Sequence, residues 1–155
     1  MENYLNFAGI EDAYFLIGEM TAFSNRFQAV ADRFFADISW KQCFLLICIK
    51  MFRQPPTLKE LAVTVGSSHQ NVKQLLLKLE RVGYVEFIRD ENDKRKQRVI
   101  RTKKAEVFDE THDEPSTVFM QKFFENVSPD KIKITIETLV QLENNLKEME
   151  KQQKK

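Results

Sequence analysis

Glycine is scarce in this sequence. Gly9, Gly18, Gly66 and Gly83 are the only four in 155 residues, too scattered for a phosphate-cradling loop. There are two histidines, His69 and His112, and two cysteines, Cys43 and Cys48. No His or Cys pair among them has metal-ligand spacing, so neither a metal nor another cofactor is expected. No stretch approaches the roughly 20 apolar residues that span a bilayer. The densest run, Phe44 to Phe52, is interrupted by Lys50. The opening MENYLNFAGIEDAY lacks the basic start and apolar centre of a signal peptide, so a soluble, cytoplasmic protein away from membranes is expected. Carboxylates are plentiful but fall on predicted solvated helix faces. No catalytic constellation emerges, and an enzyme is not expected.

Charge is present in nearly equal amounts of each sign, for a net +1, but it is unevenly placed. Residues 66–104 carry eleven Lys and Arg against five acids, and residues 105–150 carry eleven acids against four lysines. A local basic field of this kind suits phosphate binding, which depends on where charge sits and not on its sum.

The segment Thr57 to Arg101, TLKELAVTVGSSHQNVKQLLLKLERVGYVEFIRDENDKRKQRVIR, holds the most information. Pro55 and Pro56 block a helical approach, and Thr57 with Glu60 forms a capping box. Leu58, Leu61, Ala62 and Val65 then fall on one helical face, and Gly66 ends the helix. Ser67, with Gln70 three residues on, restarts the chain as a second helix with a buried stripe of Val72, Leu75, Leu76 and Leu79, stopped by Gly83. Two capped helices joined through a glycine turn make a helix-turn-helix. Tyr84 to Arg89 and Gln97 to Thr102 have strand character, and DENDKRK between them is too charged for core but suits a hairpin tip. The fold class is mainly α with a small β-wing, a winged helix-turn-helix.

The order GSSHQNVKQLLLKLERVGYV, acidic turn, Asp93-Lys94-Arg95, strand and Thr102 resembles the MarR family of dimeric winged-helix transcription regulators. The resemblance covers the middle third of the chain by motif and the whole by length and helix layout. Phe87 and Ile88 stand where that family usually has arginine, Arg101 where it has leucine, and Ala105 where it has glycine. The resemblance assigns Arg95 to the wing arginine that enters the minor groove, and Asp93 to the acid that braces it.

On the second helix, Ser68, His69, Gln70, Asn71, Lys73, Gln74 and Lys78 lie opposite the leucine stripe. Gln and Asn suit bidentate pairing to adenine, and Lys can reach guanine. Ser67, Ser68 and the first backbone N–H groups can hold a phosphate. Base readout is expected from Gln70, Asn71, Lys73 and Gln74, from a recognition helix over about 68–80. Lys94, Arg95 and Lys96 crowd the tip of a wing over 89–97.

Flanking helices complete the chain. Ile10 to Asp37 is amphipathic, with Ala13, Ile17, Met20, Phe23, Phe27, Val30 and Phe34 at helical spacing. Ser39 and Gln42 cap a helix from Trp40 to about Phe52 that is apolar nearly all round, so deep burial is expected. Cys43 and Cys48 lie about 140° apart on it, too divergent to bond each other, and read as buried thiols. A helix from Lys103 to Asn126 should bend or break near Pro115, with Val118, Phe119, Phe123 and Phe124 on its apolar face. Ser128 and Pro129 start the last, heptad-like helix.

The organisation read from this is an N-terminal dimerisation helix (1–38), the winged helix (39–104) and C-terminal dimerisation helices (105–155). A homodimer would set two recognition helices roughly 34 Å apart and read an inverted repeat in double-stranded DNA; packing of the terminal helices within one chain is the alternative. The resemblance also implies a small aromatic or phenolic effector in a cleft that Phe27, Phe34, Trp40, Phe44 and Phe52 can line, releasing a repressor from its operator. A winged-helix module for protein interaction that leaves DNA alone is the second reading.

Overall fold

A computed structural model describes residues 9–35, 37–91 and 93–153; residues 1–8 of the opening segment lie outside it. The chain forms α1 (Asp12–Phe34), α2 (Trp40–Met51), α3 (Leu58–Thr64), α4 (His69–Arg81), β1 (Val85–Arg89), β2 (Gln97–Arg101), α5 (Lys103–Phe123) and α6 (Pro129–Gln153). The expected element order is the observed one. The chain divides into two compact units, residues 1–109 and 110–155, with the boundary in the sequence of α5.

The first unit contains the winged helix. Ser39 and Thr57 each cap their helices with full capping boxes, through Gln42 and Glu60. Backbone and hydroxyl hydrogen bonds from Thr57 hold the Glu60 carboxyl below the usual range. Gly66 takes φ +62°, the left-handed conformation that lets α3 end in a tight turn. The cap of α4 falls one residue later than expected. Ser68, not Ser67, accepts the Asn71 backbone N–H at 3.2 Å, and Ser67 instead accepts from the Asn71 side-chain amide at 2.8 Å.

The core is built from one face of each element: Cys43, Leu45, Leu46, Cys48 and Ile49 of α2, Leu61 and Ala62 of α3, and Val72, Leu76 and Leu79 of α4. Tyr84, Val85, Val99, Ala105 and Phe108 close it from the wing side. Each fully buried leucine contributes about 1.5–3 kcal/mol through removal of apolar surface from water. Two expectations fail here. Leu75 is only half-buried, and α2 is covered on one side only, leaving Phe44 and Ile47 exposed. Both thiols are buried, and burial pushes Cys43 up to about 11, with Asp109 adding to the shift and Arg101 opposing it.

The wing is an antiparallel pair running from Val85↔Arg101 at its root to Arg89↔Gln97 near its tip. A third segment joins its outer edge. Thr57 bridges Arg98, and the Val99 N–H donates to the Pro56 carbonyl at 2.9 Å. At the root, Thr102 Oγ1 donates to the Gly83 carbonyl at 2.6 Å, and Lys104 Nζ donates to the Val82 carbonyl at 2.8 Å while lying over the Tyr84 ring.

α5 passes through Pro115 as one helix, so of the expected bend or break the break does not occur. Pro115 is exposed, so water can replace the backbone bond that its ring removes. In the second unit Phe119 stacks on Phe123, which meets Phe124 edge-on. α6 starts as expected, with Ser128 accepting the Lys131 N–H, and runs 25 residues without one buried side chain. Ile134, Ile136, Leu139, Val140, Leu146 and Met149 are all exposed on it. No helix among the described residues is long and apolar enough to cross a membrane.

Candidate nucleic-acid interface

α4 is strongly two-faced because leucine and valine recur every three to four residues among polar ones. Burying Val72, Leu76 and Leu79 turns Ser68, His69, Gln70, Asn71, Lys73, Gln74 and Lys78 to solvent, where all seven are exposed. Ser67, at the turn, is half-buried. Asn71 is already engaged by Ser67, whereas Gln70, Lys73 and Gln74 make no side-chain hydrogen bond among the described residues. His69 and Lys78 are likewise unengaged among the described residues, so this face has free donors and acceptors to offer a base edge.

The wing tip presents Lys94, Arg95 and Lys96, all exposed. Asp93 organises it differently from the expected brace. Its carboxylate accepts the Arg95 backbone N–H at 3.1 Å and pairs with Lys96 Nζ at 3.5 Å, leaving the Arg95 guanidinium turned outward without a partner among the described residues. The Lys96 N–H closes the turn onto the Asp93 carbonyl at 2.8 Å. Asp93 therefore shapes the backbone that carries Arg95 and does not hold the arginine itself.

Two charged arrangements escaped the sequence reading. Asp90, expected at a solvated tip, is 5% exposed and accepts both the Asp93 N–H and Arg98 Nε. Arg98 extends the chain of bonds through Nη1 to the Pro55 carbonyl at 2.6 Å, pinning β2 to the segment before α3. At the wing root, Arg101 donates to Asp109, which also accepts from Lys50. An acid at the start of a turn was the only available signal for the first. Nothing in the sequence marked the second.

A cleft of about 370 Å³ opens beside the helix-turn-helix, lined by Ser24, Gln28, Trp40, Lys41, Phe44, Leu45, Val65, Gly66, Ser67, Asn71 and Leu75. Of the aromatic residues expected there, Trp40 and Phe44 line it, and Phe27, Phe34 and Phe52 do not. Phe27 instead meets Trp40 edge-on at 5.0 Å, Phe34 meets Phe35 at 4.9 Å, and Phe52 packs against the core.

No family model matches the chain, and no curated protein does. Solved structures do. A MarR/EmrR family transcriptional regulator from Acinetobacter sp. ADP1 is similar with a TM-score of 0.79 over 90% of this chain and 99% of its own, at 13% identity. FabT of Streptococcus pneumoniae, solved in complex with DNA, gives 0.63 over 89% and 99% at 23% identity. S. aureus MepR, also solved with DNA, gives 0.73 over 88% and 98% at 18% identity. The chain has the winged-helix fold of the MarR-family transcription regulators.

Proposed function

We propose that this chain is a MarR-like homodimeric transcription regulator, a repressor that binds an inverted-repeat operator in double-stranded DNA. The observation that carries the reading is the row of seven exposed polar side chains on α4 and its N-cap Ser68, with Gln70, Lys73 and Gln74 unengaged among the described residues. Three exposed basic residues at the wing tip add to it. Placed in a major groove, α4 would offer amide and ammonium groups to base edges, and Arg95 would reach the adjacent backbone or minor groove. Ser67 and Ser68, at the N-terminus of α4, suit a phosphate.

A second copy would cover the apolar surface on α1 and α6. Tyr14, Phe15, Leu16 and Ile17 of α1 are exposed, as are six large apolar residues of α6. Patches of this kind on a soluble protein mark contact surfaces. A homodimer joined there would set two recognition helices about one DNA turn apart. The cleft beside Trp40 and Phe44 suits a small aromatic or phenolic effector, whose binding would loosen the operator complex.

A gel shift against genomic fragments at two salt concentrations tests the reading. Retarded fragments sharing an inverted repeat are expected, bound by a protein that sediments as a dimer. Weak, uniform retardation would reject it in favour of a winged-helix module for protein interaction.

A further inference from the structure

We propose that Asp109 is a positioning residue for the wing, acting through Arg101 to fix the strand that carries the basic tip. The proposal rests on the DNA-binding reading above. Arg101 is the last residue of β2 and pairs with Val85 at the hairpin root. Its side chain is only 11% exposed. Nη2 donates to Asp109 Oδ1 at 2.6 Å and to the Ala105 carbonyl at 2.9 Å. The other oxygen of the same carboxylate accepts from Lys50 Nζ at 3.1 Å. One carboxylate in the second turn of α5 therefore ties β2 to α2. Burial alone would push the Asp109 carboxyl up, but the hydrogen bonds and charges of Arg101 and Lys50 hold it below the usual range. Arg101 Nε is buried with no hydrogen-bond partner among the described residues, so the guanidinium relies on this carboxylate for its counter-charge.

The consequence is mechanical. Beyond its ladder with β1 and the backbone bond from Val99 to Pro56, β2 has a charged side-chain anchor near each end, at Arg98 by Asp90 and the Pro55 carbonyl, and at Arg101 by Asp109. Three residues separate the anchors, about 10 Å of strand, and Arg95 lies three residues beyond Arg98 on the other side. A strand held twice moves with the body of the winged helix. Without the Asp109 anchor the hairpin root is looser, and a turn of about 10° about Arg98 shifts the Arg95 backbone by about 2 Å. A charge-assisted hydrogen bond to phosphate, about 2.7–2.9 Å long, does not survive that displacement. Asp109 thus acts on DNA contact while standing away from the surface that makes it.

The test uses the full chain and an operator fragment recovered by gel shift. Asp109→Asn should weaken binding about tenfold, yet cost less than twofold when made in an Arg95→Ala background, because the contact it positions is already gone. Backbone amides of β1 and β2 should exchange faster while those of α4 stay unchanged. The double variant Arg101→Leu with Asp109→Leu removes both charges together and should recover the protection. Equal losses in both backgrounds, or unchanged exchange in the hairpin, would overturn the proposal. Should the parent chain retard no DNA at all, the functional reading fails, and the exchange comparison still decides whether Asp109 anchors the hairpin.

Discussion

Replacing Asp90 by alanine should destabilise the winged helix far more than its place in a charged hairpin tip suggests. The side chain is 5% exposed and satisfies two donors, the Asp93 N–H at 2.8 Å and Arg98 Nε. Removing one partner of a fully buried pair costs about 3–5 kcal/mol, because the other charge is left without compensation. Here the side chain of Arg98 is 26% exposed and keeps its bond to the Pro55 carbonyl, so water and that acceptor soften the loss. A cost of about 2–3 kcal/mol follows, or a fall in Tm of about 5–10 °C for a chain of this size. Asp90→Asn keeps an acceptor for the Asp93 N–H and gives up the charge, for about half that cost. Urea unfolding followed by the fluorescence of Trp40, the only tryptophan, reads the unit that contains the wing. A loss below about 0.5 kcal/mol in Asp90→Ala at unchanged m-value would show that the pair does not anchor the hairpin. An asparagine variant as damaged as the alanine one would show that charge is not what matters.

Arg95→Ala should leave stability within about 0.5 kcal/mol, since the residue is exposed and unengaged, and lower the salt slope of DNA binding by about one unit. A slope that does not change would take the wing off the contact surface. Ser68→Ala should cost about 1 kcal/mol as a lost helix cap, and Ser67→Ala clearly less, because Ser67 holds only the exposed Asn71 side chain. Chemical denaturation of the two variants settles their order, and the reverse order would refute the cap assignment. Cys43, pushed up to about 11, should be about one part in a thousand thiolate at pH 8, and burial pushes Cys48 up as well. Both should resist thiol reagents until the protein unfolds; prompt reaction of two equivalents with native protein would contradict their burial.

The elements were legible in the sequence because their signals are local. The capping boxes at Ser39 and Thr57, the left-handed Gly66 and Gly83, and the leucine stripe of α4 each act within a few residues. The one-residue slip at the start of α4 arises where two adjacent serines can both cap, and only the path of the turn chooses between them. Phe44 and Ile47 were misplaced for another reason. Composition shows that α2 is apolar all round, but how many of its sides find a neighbour is a property of the packed unit. The same holds for Phe27 and Phe34, whose helical spacing says they are inward-facing and not whether they meet a cleft or another ring.

The polar face of α4 and the exposed tip at Lys94 to Lys96 needed nothing more than periodicity and turn chemistry, so the sequence by itself determined which polar and basic side chains are turned to solvent there. Only the tertiary structure decided what holds them in place. Asp90 finds Arg98 eight positions away, Arg101 finds Asp109 eight positions away, and Asp109 finds Lys50 at a separation of 59. A carboxylate written in a charged stretch is indistinguishable from its solvated neighbours until the chain folds. Burial then makes its partner obligatory, because an unpaired charge out of water costs more than the fold can spare.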